Sequence, residues 1–187
     1  MTDEYDIRQS SYNKITSFPL ISYNLISYLM DNDEYIWRLL YYDSADAWNE
    51  NECVNLTKKQ KGELIYNGKG QEVDYRIFFD VGDDSWTKQA NLLRIFPMES
   101  IPHNYVYGHT SICFQVYSHA KNYMLTNYTT RNDSIIQRLI EVFNGADIPN
   151  IGRIFFDLKV STRCRIYTIG QPPMKGKALI MATNVLG

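Results

Sequence analysis

The nine residues Thr110-Ser111-Ile112-Cys113-Phe114-Gln115-Val116-Tyr117-Ser118 decide the fold class. Ile112, Phe114 and Val116 alternate with Cys113, Gln115 and Tyr117, and a period of two puts one set on each face of a pleated strand. Downstream the period changes. Asp133 stands as a cap before Ile135, Ile136, Leu139, Ile140 and Phe143, which share one face of a helix over 133–144, and Gly145 follows where a helix ends in the left-handed conformation. A half-buried strand followed by an apolar-faced helix implies a sheet with a helix laid across one face.

Upstream, residues 73–79 and 92–96 are rich in aromatic and aliphatic side chains and are separated by Gly82-Asp83-Asp84, so the pattern predicts two strands joined as a hairpin. The polar segments 97–108 and 120–131 read as loops. Three more strands, 153–160, 163–169 and 177–185, close the chain, with Gly170-Gln171-Pro172-Pro173 as the turn between the last two. Toward the amino terminus, Ile21, Leu25, Ile26 and Leu29 predict a helix over 19–30. Asp31 and Glu34, at capping-box spacing, open a second helix that carries Ile36, Leu39 and Leu40 and ends near Asp43. Thr57 and Gln60 open a third, which Leu64 and Ile65 carry to a stop at Gly68. Residues 1–17 are polar and aperiodic, an arm. The expectation is one α+β domain over 18–187. It has short helices in 18–68, then a mainly antiparallel sheet with one amphipathic helix across it in 70–187. Arg-Ile-Phe-Phe-Asp occurs twice, at 76–80 and 153–157; the flanks do not match, so it marks two similar strands rather than a duplication.

A chain of 187 residues with 44% hydrophobic and 21% charged side chains can bury one sizeable core without disulfides or metals. A net charge of −2 disfavours a protein whose affinity comes from neutralising phosphates. The first residues lack a signal peptide's basic and apolar regions, and no apolar run approaches the roughly 20 residues that span a bilayer, so neither export by that route nor membrane insertion is expected. Cys53, Cys113 and Cys164 form no C-x-x-C pair and read as packed side chains of a reducing compartment.

Asp80, Asp83 and Asp84 are the densest carboxylate cluster and could hold Mg²⁺ for phosphoryl transfer, but acidic residues beside Gly82 are also what a turn selects. His109 and His119 lie at opposite ends of one strand, roughly 30 Å apart, too far to share a metal. No P-loop, G-x-S-x-G or H-E-x-x-H pattern occurs. A Cys–His pair such as Cys113 with His109 or His119 has no orienting third group. No catalytic residue, cofactor or metal site is therefore expected.

Two stretches carry a resemblance. Leu25-Ile26-Ser27-Tyr28-Leu29-Met30-Asp31-Asn32-Asp33-Glu34-Tyr35-Ile36-Trp37-Arg38-Leu39-Leu40 and Ile148-Pro149-Asn150-Ile151-Gly152-Arg153-Ile154 look like segments of small neck proteins of tailed bacteriophages. The strand ending in His119 and the helix from Arg131 to Gly145 resemble the same family in order. The order of elements is also similar to tail-terminator and head-completion subunits. The resemblance implies a tail-terminator-like fold and a non-enzymatic virion subunit of the neck, assembled in the host cytoplasm as a six- or twelve-fold ring. The ring's partners would be portal or adaptor ring proteins and tail proteins, with DNA only passing through the lumen. The helical stretch before the first strand is longer than a minimal terminator-type fold needs. Alternatives from other classes are a metal-dependent phosphoryl-transfer enzyme or nuclease using Asp80, Asp83 and Asp84, and a small monomeric adaptor.

Two interface expectations follow from the residues. Tyr105, Tyr107, Tyr123 and Tyr128 stand in segments too polar to be core, so they should meet neighbours. In 170–177, Pro172 and Pro173 stiffen a loop in which Met174 offers an adaptable apolar contact, so the loop should project and dock on an adjacent ring.

Overall fold

The computed structural model describes residues 20–69, 71, 74–80, 88–102, 107–157, 161 and 163–186. Along the chain lie α1 (Ile21–Asn32), α2 (Tyr35–Tyr41), α3 (Lys58–Glu63), β1 (Ile77–Phe78), β2 (Asn91–Pro102), β3 (Tyr107–His119) and a short 3-10 turn (Ala120–Asn122). They are followed by α4 (Arg131–Phe143), β4 (Asp147–Ile148), β5 (Gly152–Phe155), β6 (Arg165–Ile169) and β7 (Met174–Leu186). The strands form one seven-stranded sheet in the order β1-β2-β3-β7-β5-β4, and β6 pairs with β7. β7 therefore serves two partners along one edge: Gly176 to Ile180 pair with β6, and Ala182 to Asn184 with β5.

All pairings are antiparallel except β1 with β2. That exception corrects the expected hairpin. Ile77 and Phe78 run parallel to Leu93 and Arg94, so no tight turn joins the two strands, and the Gly82-Asp83-Asp84 signal lies outside the described residues. The segment 97–108 is corrected too. Pro97 to Pro102 continue β2, and Tyr107 already belongs to β3. The polar composition there reflects an edge strand, which needs no second neighbour. Pro97 pairs with Ile112 and Pro102 with Gly108, with a bulge between Pro97 and Glu99, so both prolines fall on one hydrogen-bonding phase. A residue without an N–H fits that phase only where it points away from β3, at the free edge.

Alternation on the strands sorts two faces. Leu93, Ile95, Ile112, Phe114, Val116, Leu179 and Met181 face the helices and form one core with Leu25, Leu29, Ile36, Trp37, Ile135 and Leu139. α1 and α2 pack on β2, and α4 packs on β3 and β7, so three helices cover the face where the sequence predicts one. Phe143 stacks on Phe114 with ring centroids 5.2 Å apart, joining α4 to the central strand. Each such buried side chain stabilises by about 1.5–3 kcal/mol. The opposite face carries Phe96, Cys113, Ala178 and Ile180 in one cluster, and Leu92, Tyr117 and Met174 with Phe78 in another. Arg163, ahead of β6, pairs with Glu99 of β2 across this face.

Helix starts follow local chemistry. Thr57 and Gln60 form the expected capping box on α3, with Thr57 Oγ1 accepting from the Gln60 N–H and Gln60 Oε1 accepting from the Thr57 N–H. α3 ends at Glu63, and Ile65 forms a parallel bridge with Ile77 instead of extending the helix. At α2 the cap is Asp33, whose Oδ1 accepts from the Ile36 N–H at 2.7 Å, and not the Asp31 and Glu34 pair. α4 begins two residues before Asp133, because Thr130 accepts from the Asp133 N–H and so supplies the N-cap. Gly145 stands at φ +84, the left-handed value the sequence calls for. Both copies of Arg-Ile-Phe-Phe-Asp contribute a short strand, Ile77–Phe78 and Gly152–Phe155.

Candidate functional site

The residues with the strongest claim to a role beyond folding cluster where β3 ends and α4 begins. Arg131, the first residue of α4, is fully buried, and among the described residues no carboxylate forms an ion pair with it. Its Nε donates to the Asn122 carbonyl at 2.8 Å, Nη1 to those of Leu39 at 2.6 Å and Tyr42 at 3.0 Å, and Nη2 to that of Ser44 at 2.6 Å. The carbonyls at the end of α2 carry the negative end of its dipole, which a guanidinium satisfies well. Burial pulls the Arg131 guanidinium down to about 10, with Asp43 opposing the shift, so it stays charged at neutral pH. Asp43 Oδ1 accepts from the side-chain amides of Asn91 at 3.1 Å and Asn122 at 2.6 Å. The amide of the buried Asn132 accepts from Ser118 Oγ at 2.7 Å and donates to the Lys175 carbonyl at 2.8 Å. Arg131 and Asn132 thus lock α2, β3, α4 and β7 together at one end of the sheet.

This polar layer carries two loops. In 123–130, Met124 and Thr130 form an antiparallel bridge, the Leu125 N–H donates to the Thr129 carbonyl at 3.0 Å, and the Tyr128 N–H to the Leu125 carbonyl at 3.1 Å. Asn127 Oδ1 accepts from the N–H and the hydroxyl of Thr129. Leu125 is buried and anchors the loop. The second loop, 42–55, is tied to the first: the Thr126 N–H donates to the Ala45 carbonyl, Trp48 Nε1 to Thr126 Oγ1 at 2.8 Å, and Thr126 Oγ1 to Asp46 at 2.6 Å. Tyr128 stands at the tip, 94% exposed and at φ +63. A non-glycine residue held in the left-handed region costs about 1–3 kcal/mol, and such strain persists only where the surroundings over-determine it. Met124, 53% exposed, adds apolar surface on the same loop, and Asp46 brings an acidic side chain to it through Thr126; Val54, 68% exposed, Glu50 and Glu52 belong to the second loop.

The other expected interface residues are dispersed. Tyr123 is half buried beneath Lys175, whose ammonium lies 4.4 Å from the ring centre. Tyr105 lies outside the described residues; Tyr107 opens β3. The expected projecting loop is a correction. β7 starts at Met174, which is 4% exposed and packs with Phe78, Leu92 and Tyr117, and the Pro173 carbonyl accepts from the Ala120 N–H at 2.9 Å. Pro172 and Pro173 shape a tight turn held on the subunit's own core, with Gly170 at φ +88.

Of the acidic cluster, Asp80 pairs with the buried Arg94, whose guanidinium sits 4.8 Å over the Phe78 ring, while Asp83 and Asp84 lie outside the described residues. Among the described residues no three potential ligands converge. Cys113 lies on the face away from the helices, and burial pushes its thiol up to about 11, against a weaker opposing hydrogen bond to Tyr167. Burial raises the Cys53 and Cys164 thiols as well. A thiol-specific reagent at pH 8 should therefore modify none of the three rapidly in the native protein and all three in urea; fast reaction of one native thiol would contradict the packed-side-chain reading.

Arg131 and Asn132 escaped the sequence reading although they left a signal. They share the helical phase of Ile135, Ile136 and Leu139, so a cation and an amide stood at core positions.

No helix among the described residues is long and apolar enough to cross a membrane. No curated protein and no solved structure matches the chain. A family model, YomW, matches residues 33–180, which takes in every helix but α1, all of α4 and the sheet through most of β7; the chain belongs to the YomW family.

Proposed function

We propose that the chain is a virion structural subunit of a tailed phage, without catalysis, that forms a six- or twelve-fold ring at the neck and joins the head to the tail. The family takes its name from a Bacillus phage (SPBc2-like) region, which makes the chain phage-associated. The observation that carries the reading is Tyr128: an aromatic ring displayed at the tip of a hydrogen-bonded loop in a strained conformation. Rigid aromatic anchors presented with little entropy to lose are the residues that dominate protein interfaces.

The surroundings favour a protein partner over nucleic acid. Residues 42–55 contain Asp43, Asp46, Glu50 and Glu52 and no lysine or arginine, so the surface repels phosphate. A contact between this loop and a different patch on the next subunit is heterologous, and heterologous contacts close into rings when the rotation allows. Each contact can be weak, because a ring multiplies it by the number of subunits.

The mass of the purified protein in solution tests this. A closed ring of six or twelve subunits is expected, with Tyr128→Ala shifting it toward smaller species. A wild-type protein that stays monomeric would contradict the ring.

A further inference from the structure

Three edges of the sheet are free among the described residues: that of β4, only two residues long and too short to template a strand, that of β2 beyond β1, and that of β6, and the last two are built differently. β2 beyond β1 is blunted by Pro97, Pro102 and a bulge, devices that stop a second chain from adding a strand. β6 has none of them. Only β7 pairs with it, its five residues Arg165-Ile166-Tyr167-Thr168-Ile169 are regular, four of the five are exposed, and Ile166 at 43% and Tyr167 at 36% present apolar surface on both faces. A regular, unpaired edge with apolar side chains is a template for strand addition.

We infer that the outer edge of β6 pairs with β6 of a second copy of this chain, antiparallel about a two-fold axis through Tyr167. An antiparallel pair of identical strands is self-complementary by symmetry. In the register centred on Tyr167, Arg165 lies opposite Ile169 and Ile166 opposite Thr168, and every residue of the strand is used. The strand's one charged residue decides the register. The two Arg165 side chains then sit roughly 14 Å apart along the strands, beyond the Debye length of about 8–10 Å, whereas centring on Ile166 brings them to within two residues of each other. The chain's own β2 edge cannot substitute, because its prolines remove donors. Two subunit sheets would become one continuous sheet.

This contact goes beyond the ring reading, because it doubles whatever assembly the remaining surfaces build. Five paired residues form a small interface, so the doubling should depend on concentration.

The test compares masses by light scattering at roughly 100 µM, above the micromolar constants that small interfaces give. Ile166→Lys, at an exposed position, should leave the fold intact and halve the mass of the wild-type particle. Ile166→Cys and Thr168→Cys chains should form a disulfide-linked dimer on oxidation when mixed. Neither should do so alone, since the like positions lie roughly 8 Å apart, beyond disulfide reach. An unchanged mass in Ile166→Lys, or mixed cysteine variants that fail to cross-link, would overturn the β6 contact. The ring reading fails separately, if the halved species is a monomer.

Discussion

Replacing Arg131 with alanine is expected to destabilise the protein by about 4–6 kcal/mol, the largest effect of any single substitution. The guanidinium satisfies four carbonyls, those of Leu39, Tyr42, Ser44 and Asn122; the Ser44 carbonyl keeps the Ala47 N–H, and the other three lose their donor at once. An orphaned buried polar group costs about 1–3 kcal/mol, and some water will enter the vacated space, so the total stays below the simple sum. Domains of this size are stable by only about 5–15 kcal/mol, so the variant should be largely unfolded or close to it. Arg131→Lys should recover part of the loss, because an ammonium keeps the charge but is too compact to reach carbonyls on both sides of the site. Urea denaturation followed by the fluorescence of the buried Trp37 measures both. A loss under about 2 kcal/mol for alanine would mean that the carbonyls find other donors and that the polar layer is not what holds α2 to α4.

Replacing Tyr128 with glycine should separate folding from function. Glycine enters the left-handed region freely, so the variant is expected to be unchanged or up to about 1 kcal/mol more stable. The loop keeps its backbone bonds, since the Tyr128 N–H and the Leu125 carbonyl remain. What disappears is the exposed ring. If Tyr128 anchors a neighbour, its truncation should remove at least about 2 kcal/mol per contact, and around a ring that suffices to prevent closure. In a phage whose own copy is deleted, the Tyr128→Gly chain should therefore fold and accumulate while heads and tails remain unjoined. Normal titres with this variant would show that the strained tyrosine serves no contact.

The parts of this fold that sequence alone revealed are those with a regular period, although the strand expected to be half-buried is buried on both faces, with Cys113 and Tyr117 in clusters on the side away from the helices. The alternation from Ile112 to Val116 and the stripe from Ile135 to Phe143 needed no knowledge of neighbours, and the Thr57 and Gln60 capping box is a local contact. What stayed hidden depended on partners distant in the chain. β1 pairs parallel with β2, and nothing in either strand's composition distinguishes a parallel neighbour from a hairpin. Pro97 looked like a loop signal because proline is excluded from central strands, and only the pairing of β2 shows that it lies at an edge. Met174 looked free because it follows Pro172 and Pro173 in a stiffened loop, whereas the turn folds it onto Phe78 and Tyr117. In the candidate site, Tyr128 was legible as an exposed aromatic in a polar segment. Its strain was not, since the loop's own hydrogen bonds set it, and Arg131 showed only as a cation at a core phase, with nothing to name the backbone carbonyls it meets.

Whether the chain is a structural component of a phage particle, present as one ring, is decided by counting it in purified particles. Quantitative mass spectrometry against a labelled standard, with the particles freed of lysate by density-gradient sedimentation, should find a fixed number of chains per particle. Six or twelve are expected, or twice that number where β6 pairing persists. Particles that are infectious and lack the chain, while it accumulates in the infected cell, would contradict it.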